Sequence, residues 1–384
     1  MNTQKLVFSL VFIAFFGVAS LAHAADDNRY LVKTNSQFWK KSFQVRHTFE
    51  DGFTADLSDF QLRLAKMFSI EVQPIRKLSI LALFKKSVVK PKTPTETMPW
   101  GIRMTYGETL GDGPAGGKDI NVAVLDTGVF KNHPDLRDRV KNCADFSGTD
   151  TFVENKCEDK NGHGTHIAGV IAANGGTDGK GIHGVAPETN LMIYKVCVND
   201  GTCFADDVAV AVRKAVDSGA HIILFSIGSD AESSLVADAV AYAAEKGVMV
   251  VAAGGNDGPY TGSIDYPAAI PGVISVGAID SNLDVPNWSA RGVNSKTNAY
   301  VQESKDMEFA APGVNVESTW FNGEYTTLSG TSMAAAHVAG LAAKAWQSEA
   351  KDPLAATRDM LHQFAQDILP AGDDDASGWG IPKL

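Results

Sequence analysis

The chain has 384 residues, 44% hydrophobic and 21% charged, with 36 glycines, 15 prolines and a formal net charge of −11. That mixture excludes a disordered or low-complexity chain and suits one large core with a smaller unit beside it. The charge is uneven: residues 1–92 hold 14 basic and 7 acidic residues, the rest 20 and 38, and so acidic a main body argues against a nucleic-acid partner. In chain order, a secretory signal is read first. Lys5 gives a positive start, "LVFSLVFIAFFGVASLA" an apolar run, and Ala22-His23-Ala24 a small-residue site, so cleavage is expected after Ala24. The alternative, a membrane anchor, is opposed by the small residues and the "DDNR" that end the run.

After the signal, "NRYLVKTN" and "SIEVQPI" read as strands around an amphipathic helix in "LSDFQLRLAKMF". They make a small α/β unit. Near Lys90 the chain turns to "KPKTPTETMPWG", rich in Pro and Thr, where a domain boundary open to cleavage is expected. From about Lys118, apolar runs alternate with helical stretches. "INVAVLD", "NLMIYKV", "HIILFSI", "VMVVAAG" and "GVISVGA" read as buried strands, and "DDVAVAVRKAVDSG" and "SSLVADAVAYAAEKG" as helices between them. Continuous Val/Ile/Leu strands joined by helices imply an α/β fold with a parallel, mostly buried sheet covered on both faces, which binds ligands beyond the carboxyl ends of its strands.

Four cysteines, Cys143, Cys157, Cys197 and Cys203, match no zinc spacing. In an exported chain they suggest two disulfides in one of three connectivities, of which the two short loops, 143–157 and 197–203, are expected; free buried thiols are the alternative.

Asp126 ends the first buried strand in "VAVLDTGV", which places a carboxylate where sites form. His163 lies among glycines in "DKNGHGTHIAGVIAA", just before a helix of small residues, while His166, one turn on, reads as structural. Metal binding by that pair lacks a third ligand nearby. "VVAAGGNDG" delivers Asn256 into a glycine-rich loop, and "LSGTSMAAAHVAG" sets Ser332 at a helix start, where a serine is either a cap or a nucleophile beside oriented N–H groups. Each residue alone has a bland reading; the four together do not.

From about Pro99 to Leu384 the chain resembles the subtilisin family of serine peptidases. Its three boxes, "DTG" at Asp126, "HGTHIAG" at His163 and "GTSMAAAHVAG" at Ser332, stand in the order Asp, His, Ser, with "HPDL", "GVAP", "YPAAIPGVISVGA" and "APGV" between or after them. The resemblance implies a secreted endopeptidase that attacks peptide bonds with Ser332, moves the proton through His163, orients it with Asp126 and holds the oxyanion with the Asn256 amide and the Ser332 N–H. It also implies that Phe225, Ser226, Ile227 and Gly228 pair with extended substrate, that Tyr266-Pro267 is cis, and that Asp257 and Asp265 border the pocket for the side chain before the cut, which would then favour Lys or Arg. Asp135 in "HPDL" and Glu96 stand as ligands of a structural calcium, although the loop "NGGTDGKGIHG" is longer than the family pattern.

Two positions depart from that pattern: Ala336 stands where a proline is usual, and Leu224 where a polar residue is usual before Phe225-Ser226. The resemblance extends to organisation: signal 1–24, an inhibitory and folding-assisting propeptide 25–92, and a catalytic domain 93–384, acting as a monomer with polypeptide substrates and its own propeptide as partners, and no membrane after the signal is removed. Lys92 is the expected maturation residue, since Lys90 precedes Pro91. A catalytically silent peptide binder is the rival reading, and an esterase-type hydrolase lacks a G-x-S-x-G elbow.

Overall fold

A computed structural model describes residues 28–83, 92–106, 113–149, 151–295, 300–368 and 372–384. The expected signal, residues 1–24, and Lys90 lie outside the described residues. The chain divides into two compact units, residues 1–74 and 75–384.

In the first unit, strands β1 (Arg29–Val32), β2 (Val45–Phe49), β3 (Gly52–Asp56) and β4 (Val72–Pro74) form an antiparallel sheet in the order β2-β3-β1-β4. Helices α1 (Gln37–Ser42) and α2 (Asp59–Met67) complete it. Ser58 caps α2 by accepting from the Gln61 N–H while the Gln61 side chain accepts from the Ser58 N–H, which satisfies two end groups reciprocally. Val32, Phe43, Phe53, Ala55, Leu57 and Ala65 form its core.

The second unit is built on an eight-stranded sheet in the order β15-β14-β13-β11-β6-β9-β7-β8. Its strands are β6 (Asn121–Asp126), β7 (Val140–Asp145), β8 (Val153–Glu154), β9 (Asn190–Lys195), β11 (Ile222–Phe225), β13 (Met249–Ala253), β14 (Ile274–Ile279) and β15 (Phe309–Pro312). All pairs are parallel except β7–β8. The central strands β11 and β13 are buried along their whole length, as their unbroken apolar runs require. Leu224 is completely buried in β11, so the departure noted there places an apolar residue in the core.

Helices α4 (His163–Ala172) and α7 (Thr331–Ala345) pack together on this sheet, and α5 (Ala205–Asp217) and α6 (Ser234–Glu245) pack together on it as a second pair. Helix α3 (Trp100–Tyr106), ahead of β6 in the chain, packs on α7; α8 (Pro353–Gln363) packs on α7 as well. Fourteen residues of α7 are buried, so it is a core helix of small side chains rather than an amphipathic one, and Ala336 lies within it at 0% exposure. A Cβ at Gly340 would stand 2.7 Å from Val185 Cβ, which shows how closely the chain passes. Disulfides join Cys143 to Cys157 and Cys197 to Cys203, the two short loops.

A smaller sheet completes what positions the site. Strand β5 (Lys77–Ile80) lies between β10 (Thr202–Phe204) and β12 (Ile227–Gly228), antiparallel to both. Hairpin β16 (Val316–Trp320) and β17 (Glu324–Leu328) leads directly into α7.

Candidate active site

Asp126 emerges at the carboxyl end of β6 and is completely buried. Its Oδ1 accepts the Thr127 N–H at 2.7 Å, and both carboxylate oxygens lie 2.8 Å from His163 Nδ1. An imidazole held at Nδ1 by a carboxylate presents Nε2 as the free proton-accepting end. His163 Nε2 is buried and has no hydrogen-bond partner. Beneath the pair, Lys195 Nζ donates to the carbonyls of Thr127 and Cys197 at 2.7 and 2.9 Å, and burial pushes its pKa down.

His163 is the first residue of α4, and its position is fixed by a carboxylate that sequence reading missed. Asp159 Oδ1 accepts from the N–H groups of Asn161 and Gly162 and from Thr127 Oγ1, while Oδ2 accepts from the N–H and Oγ1 of Thr165. A carboxylate at a helix start satisfies end N–H groups and complements the dipole. The signal was present in the spacing of Asp159 before Gly162-His163. Gly162 takes φ 106°, and a Cβ there would sit 2.3 Å from the Trp320 ring. A Cβ at Gly164 would meet the Gly128 carbonyl at 2.2 Å. The glycines flanking His163 are thus demanded by packing. His166 sits one turn on with Nε2 at 3.1 Å from the Val316 carbonyl, and burial lowers its pKa to about 3; it is a neutral structural residue.

Ser332 is the second residue of α7 and is fully buried. Its Oγ donates to the Ser226 carbonyl at 3.0 Å. Asn256, delivered by the loop after β13, accepts at Oδ1 from the N–H and the Oγ1 of Thr331, both at 3.0 Å. Thr331 Oγ1 also accepts the Gly255 N–H at 3.1 Å. These bonds commit the carbonyl end of the Asn256 amide and leave its NH2 end to donate elsewhere.

Of the strip Phe225, Ser226, Ile227 and Gly228, the last three meet β5 and the Leu81 that follows it, whereas Phe225 is completely buried in β11 between β6 and β13. Ile80 pairs with Ile227 and Ser79 with Gly228, the Leu81 N–H donates to the Ser226 carbonyl at 3.1 Å, and the Ile80 N–H to the Gly201 carbonyl at 3.2 Å. At the end of that strip, Asp265 is 3% exposed. Cβ atoms at Gly228 and Gly255 would stand 2.9 and 3.0 Å from its Oδ2, and the Gly228 position is also 2.9 Å from Leu81 Cδ1. Asp265 therefore walls the same pocket that holds the Leu81 side chain. Burial first, and then the charges of Asp230 and Asp257, push its pKa up to about 7. Asp257 is exposed. The Tyr266-Pro267 bond is cis, as the resemblance implies.

Asp135 is buried, and its Oδ2 accepts from the Ile182 N–H at 2.9 Å and from Tyr325 Oη at 2.8 Å. Cβ atoms at Gly176 and Gly181 would lie 3.0 and 1.9 Å from its Oδ1, so the glycine-rich loop wraps its backbone closely around that oxygen. Glu96 is held by Arg103 at 2.5 Å. Asp135 and Glu96 do not form a cluster of acidic ligands among the described residues.

Asp126 and His163 thus meet at the carboxyl end of β6, while Asn256, from the loop after β13, is bonded to Thr331, the neighbour of Ser332. Residues 117–380 match the Subtilase family, and the chain belongs to it. It is 41% identical over 369 residues to Subtilisin of Bacillus sp. (strain TA39), covering 90% of this chain and 87% of that protein. It is 34% identical over 388 residues to an Alkaline protease of Alkalihalobacillus alcalophilus, covering 97% and 94%. Among solved structures, S41 Psychrophilic Protease superposes with a TM-score of 0.71 at 45% identity, and Sphericase with 0.72 at 44%; each match covers 76% of this chain and 99% of the other. The chain is accordingly a subtilisin-like serine endopeptidase, a hydrolase acting on polypeptides. No helix among the described residues is long and apolar enough to cross a membrane.

Proposed function

We propose that Asp126, His163 and Ser332 form the catalytic triad, with Asn256 as oxyanion donor. Ser332 Oγ attacks the peptide carbonyl as its proton passes to His163 Nε2; the proton then goes to the departing amine, and water releases the acyl-enzyme. Asp126 holds the ring in the tautomer with Nε2 free and stabilises its cationic form. The Asn256 NH2 and the Ser332 N–H stabilise the tetrahedral oxygen, in a site dry enough for such donors to act strongly. The observation that carries the reading is the pair of 2.8 Å contacts from Asp126 to His163 Nδ1 with Nε2 left unpartnered. In the described state Ser332 Oγ rests on the Ser226 carbonyl, so one side-chain rotation precedes attack. Casein should be degraded by the mature enzyme and left intact by Ser332→Ala; equal degradation by both overturns the assignment. The same outcome separates the enzyme from a silent peptide binder.

The reading extends to the precursor. The chain is exported by the signal 1–24, carries residues 25–92 as a self-removed propeptide and acts outside the cell as a monomer. A buried carboxyl at the pocket supports Lys or Arg before the cut whenever Asp265 is ionised, because charge pairing strengthens as water is excluded; exposed Asp257 adds little. Calcium is proposed as a structural ion. The close wrap of loop backbone about Asp135 Oδ1 fits a hard cation that takes oxygen ligands, with Asp135 as the carboxylate. Glu96 would join only by leaving Arg103. Bound there, the ion would brace the loop between α4 and β9 and take no part in proton transfer.

A further inference from the structure

We infer that the first bond this enzyme cuts is its own Leu81–Ala82 peptide bond, an inference that rests on the serine-peptidase reading above. Strand β5 is presented as a substrate would be. It is paired on both sides, with β10 and with β12, and the Ile80 and Leu81 N–H groups are taken by the Gly201 and Ser226 carbonyls. Extended backbone added between two strands is a recurrent mode of peptide recognition. The carbonyl that follows is the one at the nucleophile: Leu81 O accepts from the Ser332 N–H at 3.4 Å. Beyond the bond, the Leu83 N–H donates to the Ser329 carbonyl at 2.7 Å, so both sides of Leu81–Ala82 are tied down.

Gly330 makes the approach possible. A Cβ there would stand 2.3 Å from Leu81 O and 3.0 Å from Ala82 Cα. The Leu81 side chain, 8% exposed, fills the pocket beside Gly228 and Asp265. The expected maturation residue, Lys92, is elsewhere: its Nζ donates to the Asn322 carbonyl at 3.0 Å and lies 3.6 Å from Glu324. It cannot fill the pocket that Leu81 occupies.

In the step itself, Ser332 Oγ bonds to the Leu81 carbonyl carbon, and its proton moves by way of His163 Nε2 to the Ala82 nitrogen as that bond breaks. Water then hydrolyses the ester, leaving a Leu81 carboxylate and a free Ser332 hydroxyl. Residues ahead of Ala82, the smaller unit among them, depart as one piece. A leucine beside a carboxyl is not the residue a free substrate would need for fastest cutting. An intramolecular bond does not need it, since good orientation alone is worth effective concentrations of about 10⁵–10⁸ M.

The test is to refold the full chain from denaturant at protein concentrations spanning about a hundredfold, and to read intact masses and N-terminal sequences of the earliest products. The expected result is a new N-terminus at Ala82 with a partner fragment ending in Leu81, formed at one first-order rate throughout. Ala82→Pro, which replaces the leaving N–H on an already extended segment, should slow that cut at least about a hundredfold; Lys92→Gln should leave it unchanged. An earliest N-terminus elsewhere, Thr93 included, or a rate that scales with protein concentration, overturns the inference. Labelling of the products with a fluorophosphonate separates the two failures. Cutting elsewhere by a chain that labels refutes this bond alone, whereas a chain that neither labels nor cuts refutes the peptidase reading with it.

Discussion

Two carboxyl groups of the larger unit, Asp126 and Asp265, are both buried, and their surroundings differ. Asp126 is bound by the Thr127 N–H and by the His163 ring at both oxygens, whereas the Asp265 side chain has no hydrogen bond among the described residues and sits against the open faces of Gly228 and Gly255. Burial is common to both. Donors supplied by the chain make Asp126 a fixed acceptor that orients a base, while their lack at Asp265 leaves burial and two neighbouring carboxylates to raise its pKa to about 7. The first carboxyl is held in place by its donors, and the second changes charge near neutrality.

The comparison is broken most severely by removing the chemistry. Ser332→Ala, freed of residues 1–81 by an added protease, should lower kcat by about 10⁶-fold, a magnitude taken from a relative of the same family, with peptide binding preserved; inhibitor affinity measured alongside kcat checks it. Asn256→Leu should cost about 10²–10³ in kcat with KM little changed, again a figure known from the family. If KM takes the whole effect instead, Asn256 binds substrate rather than the transition state. Asp265→Asn leaves proton transfer alone and touches selection only. In the native enzyme, kcat/KM for Lys relative to Leu before the cut should rise as pH passes upward through about 7, where Asp265 ionises; the variant should show a flat ratio, about tenfold lower at pH 8.5, or ~1.4 kcal/mol. An unchanged profile removes Asp265 from the pocket.

Stability should follow the same titration. A carboxyl whose folded pKa is raised binds a proton that the unfolded chain has already lost between about pH 4 and 7, so its contribution is present in acid and is lost as pH rises through 7. Asp265→Asn should therefore unfold at higher denaturant than the native enzyme at pH 8.5, by no more than about 4 kcal/mol, and the advantage should shrink toward pH 4. Gly162→Ala tests the setting of His163 instead. The left-handed backbone and the Trp320 ring at 2.3 Å should make it cost about 1–3 kcal/mol, seen as a lower melting temperature.

Much of this was legible in the chain itself, because the relevant signals are local. Asp126, His163, Asn256 and Ser332 each stand at a strand end or helix start that hydrophobic periodicity marks, and β6, β9, β13 and β14 are continuous apolar runs. The run "HIILFSI" was read as one strand, yet it is two, with Ser226 between them turning its carbonyl to both Ser332 Oγ and the Leu81 N–H. What stayed hidden depends on distant partners. Nothing in "KLSI" tells that β5 will lie between residues 202–204 and 227–228, and nothing in Thr331 that its hydroxyl will fix an amide 75 positions away. The turn at Glu50-Asp51 joining β2 to β3 was passed over because its flanking strands alternate weakly.

The central claim is that Ser332 is a nucleophile activated by a histidine which Asp126 holds in place. It is tested most directly by treating the mature enzyme with a fluorophosphonate and mapping the adduct by tandem mass spectrometry. The account predicts one adduct per chain, on Ser332, forming at least about a hundredfold more slowly in His163→Ala that has been freed of residues 1–81 by an added protease. An adduct on another serine, or equal labelling rates in the native enzyme and His163→Ala, would contradict it.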